Sequence, residues 1–199
     1  MSSRKSYFST IELVLIPMFA ALMAIGANVT SFLVIGGVPI TLQTLFATLA
    51  GALLGSRRGA LAMMIYVLIG LAGFPVFAQF RGGLGSLVSP TFGFLLSFII
   101  LAFVVGKIIE RSSKKSVSTF MVACFVGLTI NYVLGTNYMY FAYQFIADLD
   151  AITYGMAWSW MVAPLVKDII FTIFAAVLAS RIYHTVNKNA NPLQRKLAS

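Results

Sequence analysis

The stretch VSPTFGFLLSFIILAFVVGKII, residues 88–109, decides the fold. Its 22 residues carry one charge, Lys107, and a helix needs about 20 mainly apolar residues to cross the hydrocarbon core of a bilayer. Working outward, the same test finds further stretches near 11–34, 38–55, 59–78, 117–141 and 156–180. Together the six occupy almost the whole chain. Composition agrees, because 60% of the 199 residues are hydrophobic and 10% are charged, against about 45–50% and about 25% in soluble domains. The expectation is an all-α integral membrane protein, one membrane domain over residues 1–199 with six transmembrane helices. Arg4 and Lys5 before the first stretch imitate a signal peptide. That apolar run is too long and lacks a small-x-small cleavage site, so it is retained as helix 1.

Charge orients the bundle, since Lys and Arg accumulate in cytoplasmic loops. Arg4 and Lys5 precede helix 1, Arg57 and Arg58 join helices 2 and 3, and Lys107, Arg111, Lys114 and Lys115 join helices 4 and 5. Arg181, Lys188, Arg195 and Lys196 follow helix 6. The opposite loops carry only Arg81, Asp148 and Asp150 among charged residues. An even number of crossings then places both the N and C termini in the cytoplasm, in a multi-pass protein of the cell membrane. The net charge of +9 sits in loops beside lipid, so membrane lipid is the partner and nucleic acid is not.

A single cysteine, Cys124, and a single histidine, His184, exclude a disulfide, a thiol–histidine pair and a metal cluster. Walker A and nucleophile-elbow sequences are missing. The reading is therefore no enzyme, no metal and no cofactor, and any ATP-driven step must come from another subunit. No internal repeat of the kind that marks many secondary transporters is found.

Two outer connections, 28–39 and 73–90, mix apolar residues with Gly, Ser and Pro. Irregular backbone at membrane depth survives only where protein or a water-filled cavity satisfies its polar groups, so both are expected to form pocket walls or a lid.

Few residues can carry chemistry. Lys167 and Asp168 lie inside helix 6, where a charge costs about 2.5–3.5 kcal/mol on insertion scales and is either functional or paired. Adjacent residues point about 100° apart on a helix, so the two need not pair with each other. Lys167 could also snorkel outward as a structural anchor. Arg81, between Phe80 and the pair Gly82–Gly83, is either a solvated loop arginine or a bidentate clamp for a carboxylate. Gln43 and Asn131 are amides inside apolar helices, suited to bridging helices or touching a ligand. Tyr132, Tyr138, Tyr140, Trp158 and Trp160 are read first as an interfacial aromatic belt. Ala20 and Ala24 form a smooth stripe on helix 1, for a partner helix or for internal packing. Gly51, Gly55 and Gly59 are read as letting helices 2 and 3 approach closely.

Several separated motifs resemble one family. They are Gly36-Gly37-Val38-Pro39-Ile40-Thr41-Leu42-Gln43, Leu53-Leu54-Gly55-Ser56-Arg57-Arg58-Gly59, and Tyr66 through Gly73-Phe74-Pro75-Val76-Phe77 into Arg81-Gly82-Gly83. Ser89-Pro90-Thr91-Phe92-Gly93-Phe94 completes the set, with Ser89 in place of a glycine. The order and extent, nearly the whole chain, resemble the BioY proteins, the biotin-specific substrate-binding S components of energy-coupling factor (ECF) transporters. That resemblance implies an S-component-like bundle that captures biotin on the outer side and docks on a transmembrane T subunit coupled to two ATPase subunits. It implies Arg81 on the valerate carboxylate, the helix 6 charges on the ureido ring, and Ala20 and Ala24 on the docking surface. One departure is visible: many relatives place the helix 6 lysine three residues after the aspartate, where this chain has Phe171, and Lys167 instead precedes Asp168. An S component for another vitamin and a solitary biotin facilitator are the alternatives. A membrane enzyme would need clustered catalytic groups at one depth, which are missing.

Overall fold

The computed structural model describes residues 10–35, 37–145 and 152–197, with side chains described as far as Val186. Arg4, Lys5, Asp148 and Asp150, and the side chains of Lys188, Arg195 and Lys196, lie outside the described residues. The elements are helices α1 (Thr10–Asn28), α2 (Gln43–Leu54), α3 (Ser56–Leu71), α4 (Phe92–Arg111), α5 (Val117–Phe145), α6 (Tyr154–Trp160) and α7 (Val162–Leu197). A two-stranded hairpin, β1 (Val34–Ile35) and β2 (Val38–Pro39), stands between α1 and α2.

Among the described residues four helices are long and apolar enough to cross a membrane: α1, α4, α5 and the portion of α7 from Val162 to Val186. Helix α2 has 12 residues and α3 has 16, short of the about 20 that a full crossing takes. The bundle is thus all-α and membrane-spanning, but its second and third apolar stretches are not helical from end to end. The stretch expected as helix over 38–55 begins with β2 and becomes helical only at Gln43.

Two other boundaries differ for identifiable reasons. Helix 1 stops at Asn28 and not at 34, because the chain there turns on itself: Leu33 N–H donates to Thr30 O, Ile40 N–H to Leu33 O, and the Thr30 hydroxyl to Ile40 O. The final span starts as a separate short helix, α6, and restarts at Val162 after a turn at Met161. Pro164 accounts for the break, since a proline clashes with the carbonyl four residues earlier, here Trp160, and has no N–H to offer it. In α7 itself Pro164 sits in the first turn, where no donor is needed.

Helix α4 is the central element, packed against α2, α3 and α5, while α7 lies on α2 and α5, and α1 on α2 and α3. Lipid is as apolar as leucine, so close packing has to hold such helices together. Small residues supply it. A Cβ on Gly106 would lie 2.5 Å from the Gly55 carbonyl carbon and 2.6 Å from Ser56 Cα, and one on Gly59 would lie 2.9 Å from Gly51 Cα. Gly55, at φ 84°, makes the tight turn from α2 to α3. The expected close approach of helices 2 and 3 is built from these glycines.

One end of the bundle gathers the basic loops. Arg58 pairs with Glu12 at 2.7 Å, joining the starts of α1 and α3. Glu110, near the end of α4, accepts from Ser56 N–H at 2.7 Å and from the Ser56 hydroxyl at 2.8 Å, so a carboxylate from another helix caps the positive N-terminus of α3. Lys115 donates to the carbonyls of Ile109, Glu110 and Ser112, closing the C-terminus of α4.

Candidate functional site

A cavity opens at the opposite end of the bundle from Arg57, Arg58 and Arg111. Its walls come from the first turns of α2, α4 and α7, from the middle of α5, and from both outer connections. Measured as the space open to the centre of a water molecule, its volume is about 100 Å³, where one buried water needs about 10–15 Å³. That is room for a small organic molecule. Arg81, Gln43, Asn131, Lys167 and Asp168, five residues singled out from the sequence, all line it.

Asp168 is the knot of the site. It is 4% exposed, and its Oδ2 accepts from the Tyr132 hydroxyl at 2.7 Å and from the Thr44 hydroxyl at 3.3 Å. The Lys167 ammonium lies 2.8 Å from Oδ1 and also donates to the Thr41 carbonyl. Neighbouring positions on the helix therefore do converge, because the long lysine side chain folds back along the cavity wall. Oδ1 itself is buried beneath that ammonium.

The two amides are oriented by their partners. The Tyr66 hydroxyl donates to Val76 O at 3.0 Å, so it can only accept from Gln43, whose Nε2 donates to it at 2.9 Å. The Ser97 hydroxyl likewise donates to Phe94 O at 2.8 Å and accepts from Asn131 Nδ2 at 2.6 Å. A hydroxyl has one proton to give, so neither amide can be turned over without losing a bond. Both carbonyl oxygens are left without a partner among the described residues. The buried end of the cavity is accordingly rich in acceptors, with one ammonium beside them.

Arg81 differs from these groups. It is exposed at the mouth and makes no side-chain hydrogen bond or ion pair among the described residues. Its backbone is fixed by the carbonyl accepting from Phe77 N–H at 2.9 Å. Between them Gln79 and Phe80 adopt φ 61° and 55°, a left-handed conformation that costs non-glycine residues about 1–3 kcal/mol and persists only where neighbours impose it. Here they do: Phe80 N–H donates to Asn28 Oδ1 at 2.7 Å and Gln79 N–H to the Ser31 hydroxyl at 3.1 Å. The Tyr138 hydroxyl donates to Leu87 O at 2.7 Å and holds the later part of the same connection to α5.

Sequence reasoning missed Tyr132, Thr44 and Thr41. Tyr132 is 5% exposed and faces the cavity, so the belt reading is corrected for it. A signal was available: it stands nine residues inside the expected helical stretch 117–141, about 14 Å from its end at 1.5 Å per residue. Ala20 is 4% exposed within the core beside Met23, and Ala24 is only partly exposed against that core. The side of α1 turned outward carries Leu13, Val14, Met18 and Ile25 instead.

With this geometry in hand, comparison with known proteins gives one consistent picture. The sequence model of the BioY family matches residues 1–188. The chain is 42% identical over 180 residues to the putative biotin transporter BioYB of Bacillus subtilis (strain 168), covering 89% of this chain and 90% of that one. It is 38% identical over 173 residues to the biotin transporter BioY of Thermotoga maritima, covering 86% and 95%. A crystal structure of the S-component for biotin from an ECF-type ABC transporter superposes with a TM-score of 0.75 at 20% identity, over 92% of this chain and 95% of that chain. The fold is shared.

Proposed function

The chain belongs to the BioY family, and from that premise we propose that it is a high-affinity biotin-binding subunit that captures biotin on the outer side of a bacterial cell membrane. Delivery then proceeds with an ECF transmembrane T subunit and two ATPase subunits that hydrolyse the ATP. The chain is a transport subunit and not an enzyme. It crosses the membrane six times with both termini cytoplasmic, α2 and α3 being extended across by the irregular segments on their outer side. The basic residues collected at the opposite end from the cavity support that orientation.

One observation carries the assignment of the ligand: a single cavity joins an acceptor-rich buried end to an unpaired guanidinium at its mouth. Biotin has complementary ends, a cyclic urea with two N–H donors and one carbonyl, and a carboxylate on a flexible chain. In this reading the Asp168 carboxylate accepts a ring N–H and the Lys167 ammonium donates to the urea carbonyl. The oriented carbonyl oxygens of Asn131 and Gln43 are acceptors for the remaining N–H. Arg81 clamps the valerate carboxylate. Apolar walls from Phe77, Phe92, Phe94, Leu95 and Phe98 cover the body of the ligand.

The test is biotin binding by the purified chain in detergent, beside Arg81→Ala and Asp168→Asn, with riboflavin and thiamine as competitors. Tight binding that both variants weaken and neither competitor displaces is the expected result. A folded wild-type sample that ignores biotin, or that releases it to another vitamin, overturns the proposal.

A further inference from the structure

We propose that Asn28, the last residue of α1, is a positioning residue for Arg81: it clamps the turn that carries the guanidinium at the mouth of the cavity, and so sets how firmly a ligand's carboxylate is held. The inference rests on the biotin reading, in which Arg81 meets the valerate carboxylate, and adds to it a residue that is not part of the cavity lining.

Arg81 ends a short loop, residues 77–81, closed at its base where Phe77 N–H donates to Arg81 O at 2.9 Å. At the tip Gln79 and Phe80 are both left-handed. Neither is glycine, and two such residues in succession keep that form only while their surroundings over-determine it. Phe80 is 70% exposed, so its ring contributes little packing. The restraint comes from the backbone N–H groups of the tip: Phe80 N–H donates to Asn28 Oδ1 at 2.7 Å and Gln79 N–H to the Ser31 hydroxyl at 3.1 Å.

The Asn28 amide is itself fixed. Its Nδ2 donates to Ala24 O at 2.9 Å and to Val76 O at 3.4 Å, so its two ends cannot be exchanged without setting donor against donor. Through Val76 and Phe80 this one side chain grips the loop at its start and at its tip. Ser31 is the lesser brace, its hydroxyl donating to Asn28 O at 3.2 Å and taking the longer of the two tip bonds. Beyond Arg81 the chain is tied to α3, where Gly83 N–H donates to Gly70 O at 2.7 Å. Arg81 thus stands between an anchor on α3 made by backbone alone and an anchor on α1 that depends chiefly on one amide.

The consequence is confined to one end of the ligand. Without the Asn28 acceptor, Phe80 N–H turns to water, the left-handed pair relaxes, and the guanidinium is in place for only a fraction of the time. Apparent affinity falls by that fraction for a ligand that uses Arg81. A ligand without a carboxylate charge does not use it. An asparagine that merely tied α1 to the outer connection would affect both ligands by the same factor.

The experiment measures dissociation constants for biotin and biotin methyl ester with wild type, Asn28→Ala, Arg81→Ala and the double variant. Asn28→Ala is expected to weaken biotin by about 3- to 10-fold, no more than Arg81→Ala does, with the ester within about twofold of wild type. In the Arg81→Ala background the same substitution should cost less than about twofold, because two residues coupled through one backbone segment are not additive. Ester binding reports that each sample is folded. If Asn28→Ala does not fold, Ser31→Ala removes a single hydroxyl and should weaken biotin by about 2- to 5-fold with the ester unchanged. A loss shared equally by both ligands, additive losses in the double variant, or biotin binding by folded Asn28→Ala within twofold of wild type overturns the positioning role. A wild type that binds neither ligand overturns the biotin reading, and wild-type biotin binding by Arg81→Ala overturns the carboxylate clamp, whereas loss in Arg81→Ala with Asn28→Ala unaffected overturns only the role of Asn28.

Discussion

Replacing Tyr66 with phenylalanine removes two hydrogen bonds, one buried and one partly buried, and almost nothing else. The residue is 1% exposed, and its ring meets Phe77 edge-on with centroids 5.5 Å apart, a contact that phenylalanine retains. The lost hydroxyl accepts from Gln43 at 2.9 Å and donates to Val76 O at 3.0 Å. The variant therefore strands an amide N–H of α2 and leaves Val76 O with only the longer bond from Asn28 Nδ2 at 3.4 Å. Hydrogen bonds between helices in a membrane are worth about 0.6 kcal/mol on average and at most about 1.7, because the unfolded chain in lipid also finds partners. Two such bonds amount to about 1–3 kcal/mol, and 1 kcal/mol moves the midpoint by about 2–4 °C for a chain of this size. A fall of about 3–10 °C in Tm is expected. The protein supplies its own reporter, since its one cysteine, Cys124, is buried in α5 and reacts with a thiol-sensitive dye only as the bundle opens. A midpoint within 1 °C of wild type would refute the view that the Gln43–Tyr66–Val76 chain both braces the outer connection and fixes the amide.

Other consequences are measurable with the same preparation. Arg81→Ala should weaken biotin by about tenfold, the low end for a charged hydrogen bond because the residue is exposed; binding of biotin methyl ester should be unchanged by titration calorimetry. Gly106→Ala drives a methyl group into the backbone of Gly55 and Ser56 and should cost about 1–3 kcal/mol of stability by the dye assay. Gly85→Ala meets nothing within 4 Å and should fall within about 0.5 kcal/mol of wild type. Lys167→Met should lose at least about tenfold in biotin affinity, whereas Phe171→Met, a change away from the cavity lining, should stay within about threefold.

The membrane-spanning character was legible in the sequence because it depends on little more than window length and apolar content, as residues 92–106 show without a single charge. What stayed hidden depended on direction. Val34, Ile35 and Val38 read equally well as helix or strand, since a short apolar run has no period that separates the two, and only the hairpin's own hydrogen bonds settle it. Helix α1 is apolar on every side, with Met23 and Ala27 buried and Met18 and Ile25 exposed. In lipid no polar face marks the outside, so the inward turn of Ala20 could not be read from its spacing. Charged and amide residues gave more, because burying them demands a partner, and this demand pointed to the cavity. Tyr132 was hidden by the opposite ambiguity, its ring suiting a membrane interface and its hydroxyl suiting a buried acceptor.

The displaced lysine shows how the site tolerates a change of position. A residue one place before Asp168 lies about 100° around α7 and about 1.5 Å back along it, and a residue three places after lies about 60° around on the same side and about 4.5 Å onward. The two positions are one helical turn apart on the same face, so an ammonium on a long flexible stem can reach the same place from either. Its acceptors decide. Here Thr41 O, on the segment leading into α2, and Asp168 Oδ1 hold the charge against the cavity wall. An ammonium has three protons, and with one on Thr41 and one toward Asp168 the third is free for a carbonyl in the cavity. Position 171 no longer has to carry a charge, and Phe171 fills it by packing on the core. The polar end of the site is thus specified by where its acceptors stand, which lets the cation arrive from either of two successive turns on one face of α7.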